Sequence, residues 1–333
     1  MLITTADEIR NYIPISVSAT IDKVLPFIDV AENKYLKEIL GLDFITDLNV
    51  YNVQSAQEEP LMDKVLGMCK RAICYLAYFE GFELLNIKIT DAGFHRVEYD
   101  ADKSLFGYQE RNIKDYFATT GYNALEDILE YMEANVDESV FSKWADSDEY
   151  QEQRQYFIKS SKEFTKIYKP LKGSRLVYLN ILSSLKLAED FNIKPVLGTE
   201  LFDTMKELVL DGDIDETENS DYKKLLPYIN NALAYFTIAK AAGTLGANFT
   251  DKGLFFTSFL ASGYKDKDER SDGEKTKAIV NSGTETAIKY TEALQTYLDD
   301  NIDNLPEYAD FIGDDDTTFN PSFDNTDRKI IIT

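Results

Sequence analysis

Apolar residues recur at helical spacing along most of this chain, and the pattern is written twice. Ile21, Val24, Leu25, Ile28 and Ala31 fall three or four apart, up to about Lys34, as on a helix that buries one face. Pro26 interrupts the stripe, so the regular helix starts there or is kinked there. The next stretch, AENKYLKEILGLDF at 31–44, is echoed without a gap 157 positions later by AEDFNIKPVLGTEL at 188–201. Ala31/Ala188, Glu32/Glu189, Lys37/Lys194, Leu40/Leu197 and Gly41/Gly198 are identical, and most other pairs keep their chemistry. Pro195 stands at the position of Glu38. Proline is tolerated in a first helical turn and not in an interior, so a helix ends before Pro195 and a short one begins near it. The same break is predicted near Leu36-Lys37. Gly41 and Gly198 mark a tight turn or a close backbone approach.

The remaining elements follow the same two-fold plan. A short helix starts at Ala6, capped by Thr4 or Thr5 and stopped by Pro14. Polar loops at 51–60 and 211–221 lead into long helices at 61–85 and 222–245, the second regular from about Pro227. These are apolar nearly all round, which makes them central, with Tyr75, Tyr78, Phe79 and Phe82 in the core. Each runs into one turn, Thr90-Asp91-Ala92-Gly93 or Thr250-Asp251-Lys252-Gly253. Phe-, Val- and Tyr-rich runs follow (94–99 and 254–259), so each copy carries a small β-hairpin or arm. Copy one then closes with helices at 105–117 and, after Gly121, 123–133; copy two closes with 274–299. The register drifts from 157 to 160 to 166, as loop insertions between fixed elements would produce. The expected fold is mainly α: a tandem duplication of a helical-bundle module, with copies at 16–135 and 174–301. The chain divides into 1–150, 151–310 with a basic seam at 154–175, and an extended C-terminal tail at 311–333.

Composition fits two such modules. Of 333 residues, 44% are hydrophobic, with 20 Phe and 21 Tyr, enough to build a sizeable core in each. Lys and Arg number 35 against 59 Asp and Glu, a net charge of −24. Such a surface repels phosphate and argues against sequence-specific nucleic-acid binding, while an acidic wall facing passing DNA stays open. The start, MLITTADEIRNYI, has no basic stretch before an apolar run, so it does not read as an export signal. No apolar run reaches membrane-spanning length. Cys69 and Cys74, five apart on a helix, face different ways and form neither a bridge nor a CxxC site. These features together describe a soluble protein made in a reducing cytoplasm.

Candidate chemistry is sparse. The one histidine, His95, beside Arg96 and just after Gly93, has no nucleophile or orienting carboxylate at a recognisable spacing. Asp211, Asp213 and Asp215 imitate a calcium loop, but Glu216 stands where glycine is needed and Tyr222 where the bidentate glutamate belongs. There is no Walker loop and no GxGxxG. No catalytic residue, metal or cofactor is assigned. The residues singled out are for interaction: Gly93, His95, Arg96 and Gly253 at the hairpins; Lys159, Lys166 and Lys169 in the seam; and Ile330, Ile331 and Ile332 near the end of the tail. The seam carries seven basic residues against Glu163 alone, a local reversal of sign. It is a partner-binding patch or a strip paired with the acidic remainder, with a phosphate contact as the third reading.

The strings TDAGFHRVE (90–98), SLFGYQERNIKDYF (104–117), GYNALEDILEYME (121–133), FIKSSKEFTKIY (157–168) and GSRLVYL (173–179), with the duplicated AE-x4-K-x2-LG, touch both halves of the chain. They resemble an uncharacterised tandem-repeat family encoded among the structural genes of tailed bacteriophages and prophages. Its module, helices with a protruding hairpin, looks like that of head–tail connector (head-completion) proteins. The resemblance implies a non-enzymatic virion protein of the neck, assembled in the host cytoplasm. It would be a homo-oligomeric ring that meets the portal and tail or other neck proteins, with no membrane partner. A helical glycan- or ligand-binding protein, using its aromatic residues as platforms, is the reading from another class. An enzyme using His95 or a carboxylate pair is the third.

Overall fold

The computed structural model describes residues 1–54, 59–85, 87–91, 93–96, 105–212, 214, 220–245, 247–250, 253–256 and 269–313. The C-terminal arm beyond Gly313, with Ile330, Ile331 and Ile332, and Asp213 and Asp215 of the calcium-like loop lie outside them. By contact the chain divides into two units, residues 1–155 with 173–179, and 156–172 with 180 onward. Mainly helical architecture with a tandem repeat is what the structure has. Its only strands among the described residues are two short antiparallel hairpins.

In the first unit, Thr5 caps α1 (Ala6–Arg10) by accepting the Glu8 N–H, and Glu8 returns the bond to the cap backbone. Then come α2 (Leu25–Ala31), with Pro26 in its first turn, a five-residue π-helical turn (Glu32–Leu36), α3 (Lys37–Leu40) and α4 (Leu42–Asn52). The break expected near Leu36-Lys37 is this wider turn, in which Lys37 N–H bonds back to Glu32 C=O and the winding is not interrupted. Helix α5 (Pro60–Leu85) follows, then β1 (Ile87–Thr90), β2 (Gly93–Arg96) and α6 (Gly107–Ala134). Short helices α7 (Ser142–Ala145) and α8 (Asp148–Arg154) close the unit.

The second unit repeats the order. It has α9 (Ser161–Ile167), the end of α10 (Arg175–Ala188), a π-helical turn (Glu189–Ile193), α11 (Lys194–Leu197), α12 (Thr199–Asp211) and α13 (Ser220–Leu245). β3 (Ala247–Thr250), β4 (Gly253–Phe256), α14 (Glu269–Asp300) and α15 (Pro306–Gly313) complete it. Pro195 lies in the first turn of α11, where its missing N–H costs nothing, directly after the π turn. Pro227, expected to start the regular part of α13, lies inside the helix. The helix continues through it because Leu225, Ile229, Ala232 and Leu233 around it are all core.

The echoing glycines serve both purposes expected of them. Gly41 and Gly198 have φ 75° and 78° and ψ near extended, a region open essentially to glycine alone. A Cβ at Gly198 would come within 2.6 Å of Phe311, and one at Gly41 within 2.9 Å of Glu149. Gly121 ends no helix, contrary to expectation. It is buried mid-α6, where a Cβ would meet the Leu76 side chain at 2.6 Å, so it lets α5 and α6 approach closely. Gly283 does the same in α14 against Tyr235 and Ala239 of α13. Tyr75, Tyr78, Phe79 and Phe82 are half-buried rather than core. Their rings, Phe79 apart, lean on Phe117 and Tyr116 of α6 along one side of the helix pair.

Candidate functional site

The duplicated motif builds one device twice: a buried carboxylate that grips an incoming segment of chain. In the first unit Glu32, 6% exposed, opens the π turn. Its Oε2 accepts the N–H of Leu2 at 2.9 Å, and its Oε1 accepts the side-chain amide of Asn49, on α4, at 3.0 Å. Leu2 and Ile3 are fully buried beside it. In the second unit Glu189 accepts the N–H of Phe157 at 2.7 Å on Oε1, and its Oε2 takes the ammonium of Lys206 on α12. Lys206 stands at the repeat position of Asn49, and Phe157 and Ile158 are buried as Leu2 and Ile3 are.

The two slots differ in lining. The Lys206 ammonium lies 5.4, 4.7 and 5.7 Å from the rings of Tyr156, Phe157 and Phe202, and Phe157 meets Phe202 edge-on at 5.4 Å. Burial raises Glu189 and lowers Lys206, each against the pull of the other, so both are pressed toward neutrality. In the first slot Ile45 stands where Phe202 does, and the residue gripped is aliphatic Leu2. These carboxylates are holding groups: Glu189 is engaged by a backbone N–H and an ammonium, and Glu32 by a backbone N–H, the Asn49 amide and the Met1 ammonium at 3.7 Å.

The grip also places the basic seam. Residues 156–168 are the second unit's counterpart of 1–13, at an offset of 155: Ser160 caps α9 as Thr5 caps α1, and Glu163 accepts the Lys159 N–H as Glu8 accepts that of Thr4. The correspondence therefore reaches back to Met1 and Tyr156, before the 16 and 174 expected for the two copies, and the seam from Tyr156 to Tyr168 is the second unit's counterpart of residues 1–13. Lys159 is half-buried and donates to the carbonyls of Val209 and Leu210, at the last turn of α12. Lys166 and Lys169 are exposed. The turn Lys169–Leu171 lies alongside β4, so the structure brings the seam and the Gly253 hairpin together.

In each hairpin the glycine opens the second strand. Thr90 pairs with Gly93 and Thr250 with Gly253. His95 sits opposite Lys88, and Arg96 opposite Ile87. Sequence reasoning missed an exposed aromatic pair that follows the first hairpin in the chain. Phe106 and Tyr108 are 67% and 62% exposed and lie nearly parallel, their centroids 5.9 Å apart. Leu84 before the hairpin, and Leu105 and Tyr116 after it, are exposed too. The string SLFGYQERNIKDYF holds these residues, but an N-terminal helical turn with alternating rings looks the same whether its face is covered or bare.

Other reactive groups are structural. Cys69 and Cys74 are free and buried; burial pushes both thiols up, Cys74 to about 12, so neither is a thiolate near neutrality. Among the described residues no three His, Cys, Asp or Glu side chains are placed to hold a metal ion, and no helix is long and apolar enough to cross a membrane.

The chain belongs to a family of unknown function, DUF6712, which matches residues 29–154 and 193–313, one match in each unit. No curated protein and no solved structure matches it.

Proposed function

We propose that this member of DUF6712 is a structural protein that works by self-association, as a head–tail connector ring between the portal and tail of a tailed bacteriophage. The observation that carries the reading is the uncovered aromatic pair that follows the first hairpin in the chain. Neighbouring large apolar groups left bare on a soluble domain mark an interaction surface, and aromatic residues are enriched where protein interfaces lie. The stacked pair Phe106 and Tyr108 supplies such groups, and Leu84, Leu105 and Tyr116 are exposed on the elements that flank the hairpin in the chain. Two modules of one design on one chain give a connector two docking faces. A net charge of −24 suits a ring that DNA passes without being gripped. The phage-protein resemblance of the sequence supplies the neck as its place in the virion.

Mass photometry of the purified chain and of a Phe106→Ser/Tyr108→Ser variant tests this. The wild-type chain should form ring-sized oligomers, and the variant should remain monomeric with unchanged circular dichroism. A wild-type chain that stays monomeric at every concentration, or a variant that assembles equally well, would refute the reading.

A further inference from the structure

Each module takes hold of a short segment with one sequence pattern, and that pattern occurs a third time. Met1-Leu2-Ile3-Thr4 and Tyr156-Phe157-Ile158-Lys159 share a large apolar residue, an apolar residue whose N–H is gripped, a buried isoleucine, and then a polar residue that is not buried. Ile330-Ile331-Ile332-Thr333 repeats it: Ile331 falls at the gripped position, Ile332 matches Ile3 and Ile158, and Thr333 matches Thr4. In the first repeat the chain passes from α8 into the next module's gripped segment, Tyr156–Ile158, with one residue between. After α15 there is no third module among the described residues, yet a segment of the same pattern follows.

We propose that residues 330–333 of one copy enter the Glu32 slot of a second copy, in place of that copy's own Met1–Thr4. The Glu32 slot is the one that fits. It already holds an aliphatic residue, Leu2, beside Ile45 and Asn49, and Ile331 differs from leucine only in branching. The Glu189 slot uses the ring of Phe157 to cover the Lys206 ammonium at 4.7 Å and to meet Phe202, and isoleucine would forfeit both contacts. Glu32 accepts a backbone N–H, which every one of the three segments can donate. Exchange of a like element between copies is a low-cost route to association, because the apolar and backbone contacts made replace those given up, apart from the Met1 ammonium's contacts with Asn49 at 2.6 Å and Glu32 at 3.7 Å. The sixteen residues between Gly313 and Ile330, with Pro321 and five aspartates, would serve as the tether. The inference rests on the self-association proposed above and names the contact that would link the copies.

The test replaces Ile331 by the diazirine-bearing residue photo-leucine, which is close to it in size. This full-length chain is mixed with unsubstituted, 15N-labelled chain, allowed to assemble and irradiated, and the cross-linked peptides are mapped. The expected product joins position 331 of one copy to the 15N-labelled neighbourhood of Glu32, Ile45 and Asn49. Its yield should fall at least five-fold when the labelled chain carries Glu32→Leu, which offers no acceptor to the incoming N–H, and retains its circular dichroism. Cross-links confined to the same copy, to the hairpins, or to the Glu189 slot overturn the proposal. If oligomers form and the cross-links still go elsewhere, this inference fails while self-association stands. If no oligomer forms, self-association fails, and this inference with it.

Discussion

Glu189→Gln isolates the work of the second grip. The substitution keeps the shape of the side chain and an oxygen for the Phe157 N–H, and removes only the charge that faces Lys206. The Lys206 side chain is 17% exposed and ringed by three aromatic groups, so water cannot replace the lost partner. Leaving one member of a buried pair uncompensated costs about 3–5 kcal/mol. Lysine has an escape, which is to shed its proton. From an ordinary value of about 10.4 that costs about 1.4 kcal/mol per unit, or about 4.6 kcal/mol at pH 7. Because burial already lowers Lys206, the expected loss lies near the lower end, about 3 kcal/mol at pH 7. The sign then follows from linkage. The wild type loses the same charge as pH falls through the raised Glu189 value, so the destabilisation is full only above it, and it shrinks by about 1.4 kcal/mol per unit as pH rises from the lowered Lys206 value toward the unfolded lysine value. Replacing both partners, as Glu189→Gln/Lys206→Met, should return to within about 1 kcal/mol of wild type, since an apolar substitute for a buried pair is often neutral. Urea unfolding followed by far-UV circular dichroism measures all three proteins. Fluorescence of Trp144, fully buried in the first unit with its Nε1 on the Ile39 carbonyl, provides a second probe that should shift less. A single variant within about 1 kcal/mol of wild type, or a double variant no better than the single, would refute the reasoning.

Three further outcomes are expected. Gly198→Ala should cost about 1–3 kcal/mol from its backbone conformation alone. Adding Phe311→Ala should recover only a steric remainder, because the half-exposed Phe311 ring can give way; chemical denaturation reads both, and full recovery would contradict the backbone argument. Burial by itself would raise Glu8, yet Lys70 and the N–H groups of Thr4 and Thr5 hold it below its ordinary range. Its contribution is therefore present above about pH 4.5 and lost as pH falls through the folded value, and Glu8→Gln should flatten that part of the stability–pH curve. A fragment of residues 156–313 should give helical circular dichroism with a cooperative thermal transition, whereas 174–313, lacking the gripped segment, should not; two equally cooperative fragments would show the grip to be dispensable.

Much of this architecture was legible because it is stated twice. The ungapped echo of 31–44 in 188–201 marked the stretch that holds both π turns, although Pro195 read there as the end of one helix and the start of another, where the winding only widens. A shared glycine at 41 and 198 signalled a constraint on the backbone, and the positive φ at both is that constraint. What stayed hidden depends on distant partners. Gly121 resembles a helix end, and its reason, Leu76, lies 45 positions away. The start of each module was concealed because between residues 1–13 and 156–168 only Ile3/Ile158 and Glu8/Glu163 are identical, and the charge reverses at Asp7/Lys162. A gripped N–H belongs to the backbone and leaves no mark on residue type. Tyr75, Tyr78, Phe79 and Phe82 have core spacing, and only the packing of α6 decides that they end at a half-covered seam. The interaction sites were the least legible: Lys159 is spent on the end of α12, while Phe106 and Tyr108 went unmarked as exposed.

The measurement that tests the account most directly is negative-stain imaging of the purified chain, alone and mixed with a phage portal ring. The account predicts closed rings of this chain that stack coaxially on the portal, with the stacked species lost in the Phe106→Ser/Tyr108→Ser variant. Monodisperse single particles that leave the portal undecorated would contradict it.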